Sequence, residues 1–169
     1  MSDSVVITGM GIYSCIGKNK EEVVKSLFEG KSGIGIVPER KEMGYQSALS
    51  GILEKPNLKG ALDRRQRLCL SEHGQYAYVA TVEALAQAGI DKEYLLNNEV
   101  GILYGNDSSA EAVISGIDII RGKKNTTLVG SGNIFQSMNS TISMHLATIF
   151  NLRGINFTVS GACASGSHA

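Results

Sequence analysis

The residue in this chain best placed to do chemistry is a thiol near its end. Cys163 lies in the run VSGACASGSHA, where a β-branched strand end gives way to small residues. A helix beginning at about Cys163 would set the sulfur against unpaired backbone N–H groups at the positive end of the helix dipole. That position lowers a cysteine pKa and raises its thiolate fraction. The same N–H groups can hold an oxyanion as it develops on an acylated sulfur. Gly161, Ala162, Ala164, Ser165 and Gly166 allow a sharp turn and leave room for a substrate. This is the logic of a nucleophile elbow, with sulfur in place of the serine oxygen. A structural cysteine packed where strand meets helix would leave the same local pattern, and the local residues leave both readings open.

The other reactive types are sparse. Cys15 and Cys69 share no metal-ligand spacing with Cys163, so no metal site is expected. An odd, scattered set without a secretory n-region reads as reduced thiols in the cytoplasm. His73, His145 and His168 stand at separate places, and each reads as a structural or surface histidine. His168 follows Cys163 by five residues, about 500° around a helix, which turns it away from the sulfur. Gly9 and Gly11 do not make a dinucleotide fingerprint, because Ser14 occupies the place of the third glycine. Sixteen Lys and Arg balance sixteen Asp and Glu, which argues against wholesale binding to nucleic acid or a membrane surface. No apolar run approaches the roughly 20 residues of a spanning helix.

The elements that must position the thiol alternate between strand and helix. Ser4 to Ile12 reads as a buried strand ending in a Gly-rich turn. Asn19 and Glu22 form an N-cap and N3 pair ahead of a helix that Gly30 closes. Residues 31–62 predict short strands and turns. Residues 67–88 predict one helix with Ala77, Ala80, Ala84, Leu85 and Ala88 on a face that another element can approach closely, ended by Gly89. A short helix after Asp91 leads to a strand over 100–104, then a helix over 109–121. Phe135, Met138, Ile142, Leu146 and Ile149 predict a longer helix over 135–150, and 155–159 a strand. The alternation implies an α/β layered fold with a largely parallel sheet, whose chemistry gathers at the carboxyl ends of the strands.

Taken together, VVITGMGIYSCIG at the start, GILYGN in the middle and GINFTVSGACASGSHA at the end resemble the N-terminal half of a β-ketoacyl-acyl-carrier-protein synthase, the elongating branch of the condensing enzymes. The resemblance covers the whole chain. It implies a thiolase-like αβαβα fold of which residues 1–169 form the N-terminal half, with Ala169 in the first turns of the nucleophile helix. It also implies that Cys163 takes an acyl chain from a carrier thioester, and that the Cys163 N–H is one arm of an oxyanion hole. A carbanion from decarboxylation of malonyl-carrier protein then attacks the acyl-enzyme and gives a 3-oxoacyl product, with no metal or organic cofactor. Two histidines and a lysine for the decarboxylation are expected from the C-terminal half. The implied protein is a cytoplasmic homodimer of fatty acid biosynthesis, with no membrane insertion and no nucleic-acid partner.

The same resemblance assigns supporting residues. Arg64, Arg65 and Arg67, with Arg121, Lys123 and Lys124, match regions where related synthases receive the acidic acyl carrier protein. Solvated surface charge is the ordinary alternative for such clusters. Leu68 and Thr127 depart from the basic residues common in relatives. Met138 matches a position lining the acyl pocket across the dimer. Asn106, Asp107 and Ser108 replace a glycine-rich loop that borders that pocket, which leaves acyl length open and makes a polyene or polyketide pathway conceivable. A thiolase-like enzyme acting on coenzyme A esters is the alternative enzyme, and a catalytically silent half-subunit the alternative outside catalysis.

Overall fold

A computed structural model of the chain describes residues 4–169. It resolves into two compact units, Met1–Asn57 with Tyr76–Ile90, and Leu58–Gln75 with Asp91–Ala169.

In the first unit, helix α1 (Lys20–Phe28) starts where expected, with Asn19 Oδ1 accepting the Glu22 N–H at 2.8 Å. Glu22 returns its carboxylate to the Lys18 N–H rather than to the N-cap itself. Gly30 follows at φ +64, the left-handed value a glycine adopts without penalty. Strands β1 (Ile34–Ile36) and β2 (Leu49–Gly51) pair antiparallel around the short helix α2 (Pro38–Glu42). These are the short strands and turns the composition of 31–62 predicts.

The expected first strand does not form. Among the described residues Ser4–Ile12 has no ladder partner, and Val5, Val6 and Ile7 are exposed. A β-branched run becomes a strand only beside another one. Here the N–H groups of Met10 and Ile12 are instead taken by the side chains of Gln87 and Glu83. Both sit on α4 (Glu72–Ala88), the alanine-rich helix. Glu83 also accepts the Lys20 N–H at 2.7 Å, joining the segment to the start of α1. The expected close approach to the alanine face is real. A Cβ on Gly9 would collide with the Ala84 carbonyl, and one on Gly11 with that of Ala80.

The second unit carries the parallel pairing. Helix α3 (Arg64–Cys69) begins with a reciprocal capping box between Asp63 and Gln66. It is separate from α4, because the chain turns at Leu70 and Ser71 instead of running straight through 67–88. Helix α5 (Lys92–Asn97) is capped by Asp91 and leads into β3 (Ile102–Gly105). From β3 the chain crosses through α6 (Ala110–Lys123), a 3-10 turn at Thr126–Leu128, α7 (Ser131–Gln136) and α8 (Thr141–Phe150) before returning as β4 (Asn156–Val159). β3 and β4 pair parallel, Ile102 opposite Asn156 and Gly105 opposite Val159.

The single helix expected over 135–150 is thus two. Met138 falls in the turn between them, where Ser137, Met138 and Thr141 donate to carbonyls three and four residues back. Two hydroxyl residues of α8, Thr141 and Ser143, are buried, 3% and 2% exposed. Ser143 meets Thr158 Oγ1 at 3.0 Å and its carbonyl accepts from Asn156 Nδ2. These bonds lock α8 onto β4, and Ile142 and Leu146 beside them are 2% and 1% exposed. No helix of the described residues is long and apolar enough to cross a membrane.

Candidate functional site

The in-register ending of β3 and β4 brings two chain segments out side by side. Asn106, the residue after β3, extends the ladder by donating its N–H to the Val159 carbonyl at 3.1 Å. Ser160, the residue after β4, donates its hydroxyl to the Asn106 carbonyl at 2.8 Å. The Asn106 side chain reaches the Asn139 carbonyl and the Ser109 hydroxyl, at 3.3 and 3.4 Å. It thereby ties the strand end to the turn that holds Met138. The carboxyl end of the parallel pair is where the site was expected, and the residues found there are those the sequence singled out.

Cys163 lies beyond β4 on a 3-10 turn, Ala162–Ala164, followed by α9 (Ser165–His168). Its side chain is exposed, unlike that of a packed structural cysteine. The turn is sharp in the sense an elbow requires: Ala162 adopts φ +48, a left-handed value uncommon for a residue with a side chain. Five hydrogen bonds hold it, one of them from the Ser165 N–H to the Ala162 carbonyl. Ser165 Oγ accepts the Gly161 N–H at 2.9 Å and donates to the Ala162 carbonyl at 2.7 Å. The Ala164 N–H donates to the Gly161 carbonyl at 3.0 Å. Asp107 Oδ2 accepts the Ala162 N–H at 2.7 Å. Among the described residues the Cys163 N–H donates to no protein group, so it is available to an oxygen arriving at the sulfur.

Two further contacts explain the small residues. A Cβ on Gly105 would run into the Ser165 carbonyl and come within 2.6 Å of the Gly166 nitrogen. A Cβ on Gly161 would lie 2.9 Å from His168 Nδ1. His168 therefore packs over the glycine that opens the turn, consistent with its expected structural use. His73 is half-buried, its Nε2 3.4 Å from the Ser71 hydroxyl, beside a small cavity lined also by Glu111 and Gln136. Burial lowers its pKa, opposed by the nearby Glu111 and Glu72 carboxylates. Among the described residues His145 on α8 buries Nε2 without a partner, and burial lowers its pKa as well.

The basic residues are distributed over one region of the second unit. Helix α7 packs against both α3 and α6. Arg64 and Arg65 line a groove of about 810 Å³ together with Leu68, Gly132, Phe135 and Gln136. Arg121, Lys123 and Lys124 are exposed at the end of α6. Arg67 differs, because its guanidinium donates to the Leu62 carbonyl and is partly withdrawn from the surface.

Reasoning from sequence missed the work of Ser165 and Asp107 at the elbow. Ser165 read as one more small residue, although a hydroxyl two places beyond the thiol could have flagged a turn-closing hydrogen bond. Asp107 read only as a pocket border, and nothing in its local spacing relates it to a residue 55 positions away.

Comparison with known proteins agrees with this geometry. The family described as "Beta-ketoacyl synthase, N-terminal domain" matches residues 2–169. The 3-oxoacyl-[acyl-carrier-protein] synthase 1 of Haemophilus influenzae is 38% identical over 164 residues, covering 96% of this chain and 40% of that protein. A β-ketoacyl synthase structure from Burkholderia phymatum superposes with a TM-score of 0.84 at 25% identity, over 97% of this chain and 41% of that one. A ketosynthase solved in complex with its type II PKS acyl-carrier protein, bound to the hexaketide, gives a TM-score of 0.70 at 18% identity, over 95% of this chain and 38% of that one. The chain therefore spans about 40% of the length of the curated relatives it matches. An exposed cysteine on a strained turn after a parallel strand, a match along nearly the entire sequence and the shared thiolase-like α/β fold all agree: the chain belongs to the β-ketoacyl synthase family, in its N-terminal domain.

Proposed function

We propose that the protein carrying this chain is a 3-oxoacyl-acyl-carrier-protein synthase of fatty acid elongation, and that Cys163 is its acyl acceptor. The Cys163 sulfur, as thiolate, attacks the carbonyl carbon of an acyl-carrier thioester. The oxygen of the tetrahedral intermediate takes negative charge and accepts the Cys163 N–H. Collapse expels the carrier thiolate, which takes up a proton, and leaves the acyl group on sulfur. Decarboxylation of malonyl-carrier protein then yields carbon dioxide and a carbanion. The carbanion attacks the acyl-cysteine carbonyl, so that a carbon–carbon bond forms, the carbon–sulfur bond breaks and Cys163 returns as thiolate. The decarboxylating groups belong to the portion of the relatives' length that this chain does not span.

The observation that carries the reading is the exposed Cys163 on a turn held by five hydrogen bonds, with its own N–H uncommitted. The 38% identity to a curated synthase 1 supports the fatty-acid pathway over a polyketide one, since the polyketide neighbour at 18% identity speaks to the fold alone. The carrier would dock on the surface bearing Arg64, Arg65, Arg121, Lys123 and Lys124, with the groove beside Phe135 as the apolar contact. Asn106, Asp107, Ser108 and Met138 would border the acyl chain. The working form is a cytoplasmic homodimer.

Mass spectrometry of the intact protein tests this. Incubation with acyl-carrier protein should add one acyl group per chain, mapped to Cys163 and absent in Cys163→Ala. Acylation by coenzyme A esters but not by carrier would point to a thiolase-like enzyme, and no adduct with either would end the proposal.

A further inference from the structure

The loop leaving β3 does more than border a pocket. Asp107 Oδ2 holds the Ala162 N–H at 2.7 Å from a position 55 residues earlier in the chain. The residue it holds is the strained one, at φ +48, a conformation that costs an L-residue about 1–2 kcal/mol and persists only where surrounding groups impose it. The other end of the same residue is fixed by Ser165, whose Oγ–H and N–H both donate to the Ala162 carbonyl. A peptide unit is planar and trans, so the Ala162 C=O and the Cys163 N–H point in opposite directions. Securing the Ala162 amide and carbonyl therefore sets the direction of the Cys163 N–H.

Asp107 is itself delivered from a rigid place. Asn106 continues the ladder onto Val159 and takes the Ser160 hydroxyl, so the carboxylate is carried by one strand end bonded directly to the other. The glycine-rich loop that the family resemblance leads one to expect here has no side chain with which to accept an amide.

We infer that Asp107 is a positioning residue for Cys163: by gripping the Ala162 amide, its carboxylate keeps the elbow in the left-handed turn that aims the Cys163 N–H and sulfur at an incoming thioester. The inference rests on the reading of Cys163 as acyl acceptor. It adds a requirement for a hydrogen-bond acceptor at position 107, which Asn can partly meet and Ala cannot.

The test compares Asp107→Ala and Asp107→Asn in the intact protein by two measurements. Hydrogen–deuterium exchange reads the grip without any chemistry. The amide of Ala162 should exchange about tenfold faster or more in D107A, from loss of a charge-assisted bond, and much less so in D107N. Single-turnover acylation of Cys163 by acyl-carrier protein reads the aim. The rate at saturating carrier should fall about 10- to 100-fold in D107A, with half-saturation little changed and D107N recovering most of the loss. Unchanged exchange and acylation in D107A would overturn the inference. So would equal losses in both variants accompanied by a lowered melting temperature, which would mean local unfolding. A wild-type protein that takes no acyl group would refute the reading of Cys163, and fast exchange in D107A would then mark the grip as purely structural.

Discussion

Gly105, the last residue of β3, lies directly beneath the Ser165 carbonyl at the start of α9, with no room between them for a methyl group. The atoms a Cβ would meet are backbone on both sides, so no rotamer change can relieve the contact. Gly105→Ala should therefore push the elbow away from the strand end, at a cost of about 1–3 kcal/mol. Thermal unfolding and the rate of Cys163 alkylation by iodoacetamide check it, and both should fall. A variant with wild-type alkylation would mean that the elbow tolerates displacement.

Ser165 is 5% exposed and serves two backbone groups with one hydroxyl. Ser165→Ala leaves the Gly161 N–H without its acceptor and the Ala162 carbonyl with one donor fewer, which should cost about 1–3 kcal/mol. Ser165→Thr keeps the hydroxyl and should retain most of that stability. Urea denaturation of the three proteins measures the difference, and equal midpoints would remove Ser165 from the account of the turn.

How much of this was legible in the sequence depended on the range of the interactions. The Asn19–Glu22 cap, the glycine after α1 and the alanine face of α4 are local signals, and each stands where its spacing predicts. The placement of Cys163 beyond a strand end follows from the same kind of signal. The first segment misled because its β-branched residues report a preference for extended backbone, while a strand also needs a neighbour, which composition cannot supply. The helix over 135–150 misled because its apolar period continues through Ser137–Ser140 although the backbone turns there. Ser143 is polar yet buried, because Thr158 offers it a partner. The Asp107–Ala162 contact was beyond local reading, since only the register of β3 on β4 brings those residues together.

Stability should fall as the medium is acidified from neutral. His73 and His145 both have pKa values lowered by burial, against about 6.5 in an unfolded chain. Between the folded and the unfolded value the unfolded chain binds more protons, so stability rises with pH across that window. The contribution is whole above about pH 6.5 and is lost as pH drops through the lowered folded values. Urea midpoints at pH 7.5 and 5 should differ in that direction. The slope should flatten in a His73→Gln, His145→Gln double variant. A steeper slope in that variant would assign the acid sensitivity to other groups.

The two basic clusters separate by what their side chains already hold, and that separation predicts how substitutions will behave. Arg65 and Lys124 are exposed, and Arg65 borders the groove beside Phe135. Reversing either charge should weaken binding of an acidic carrier by roughly fivefold, about 1 kcal/mol, and flatten its salt dependence. Arg67 donates to the carbonyl of Leu62, itself 4% exposed, so Arg67→Ala should lower stability more than carrier affinity. Titration calorimetry at two salt concentrations, with melting curves of the same samples, distinguishes these effects. Unchanged affinity in both Arg65→Glu and Lys124→Glu would remove this surface as the docking face, because an exposed charge facing an acidic partner cannot be reversed without effect on the encounter.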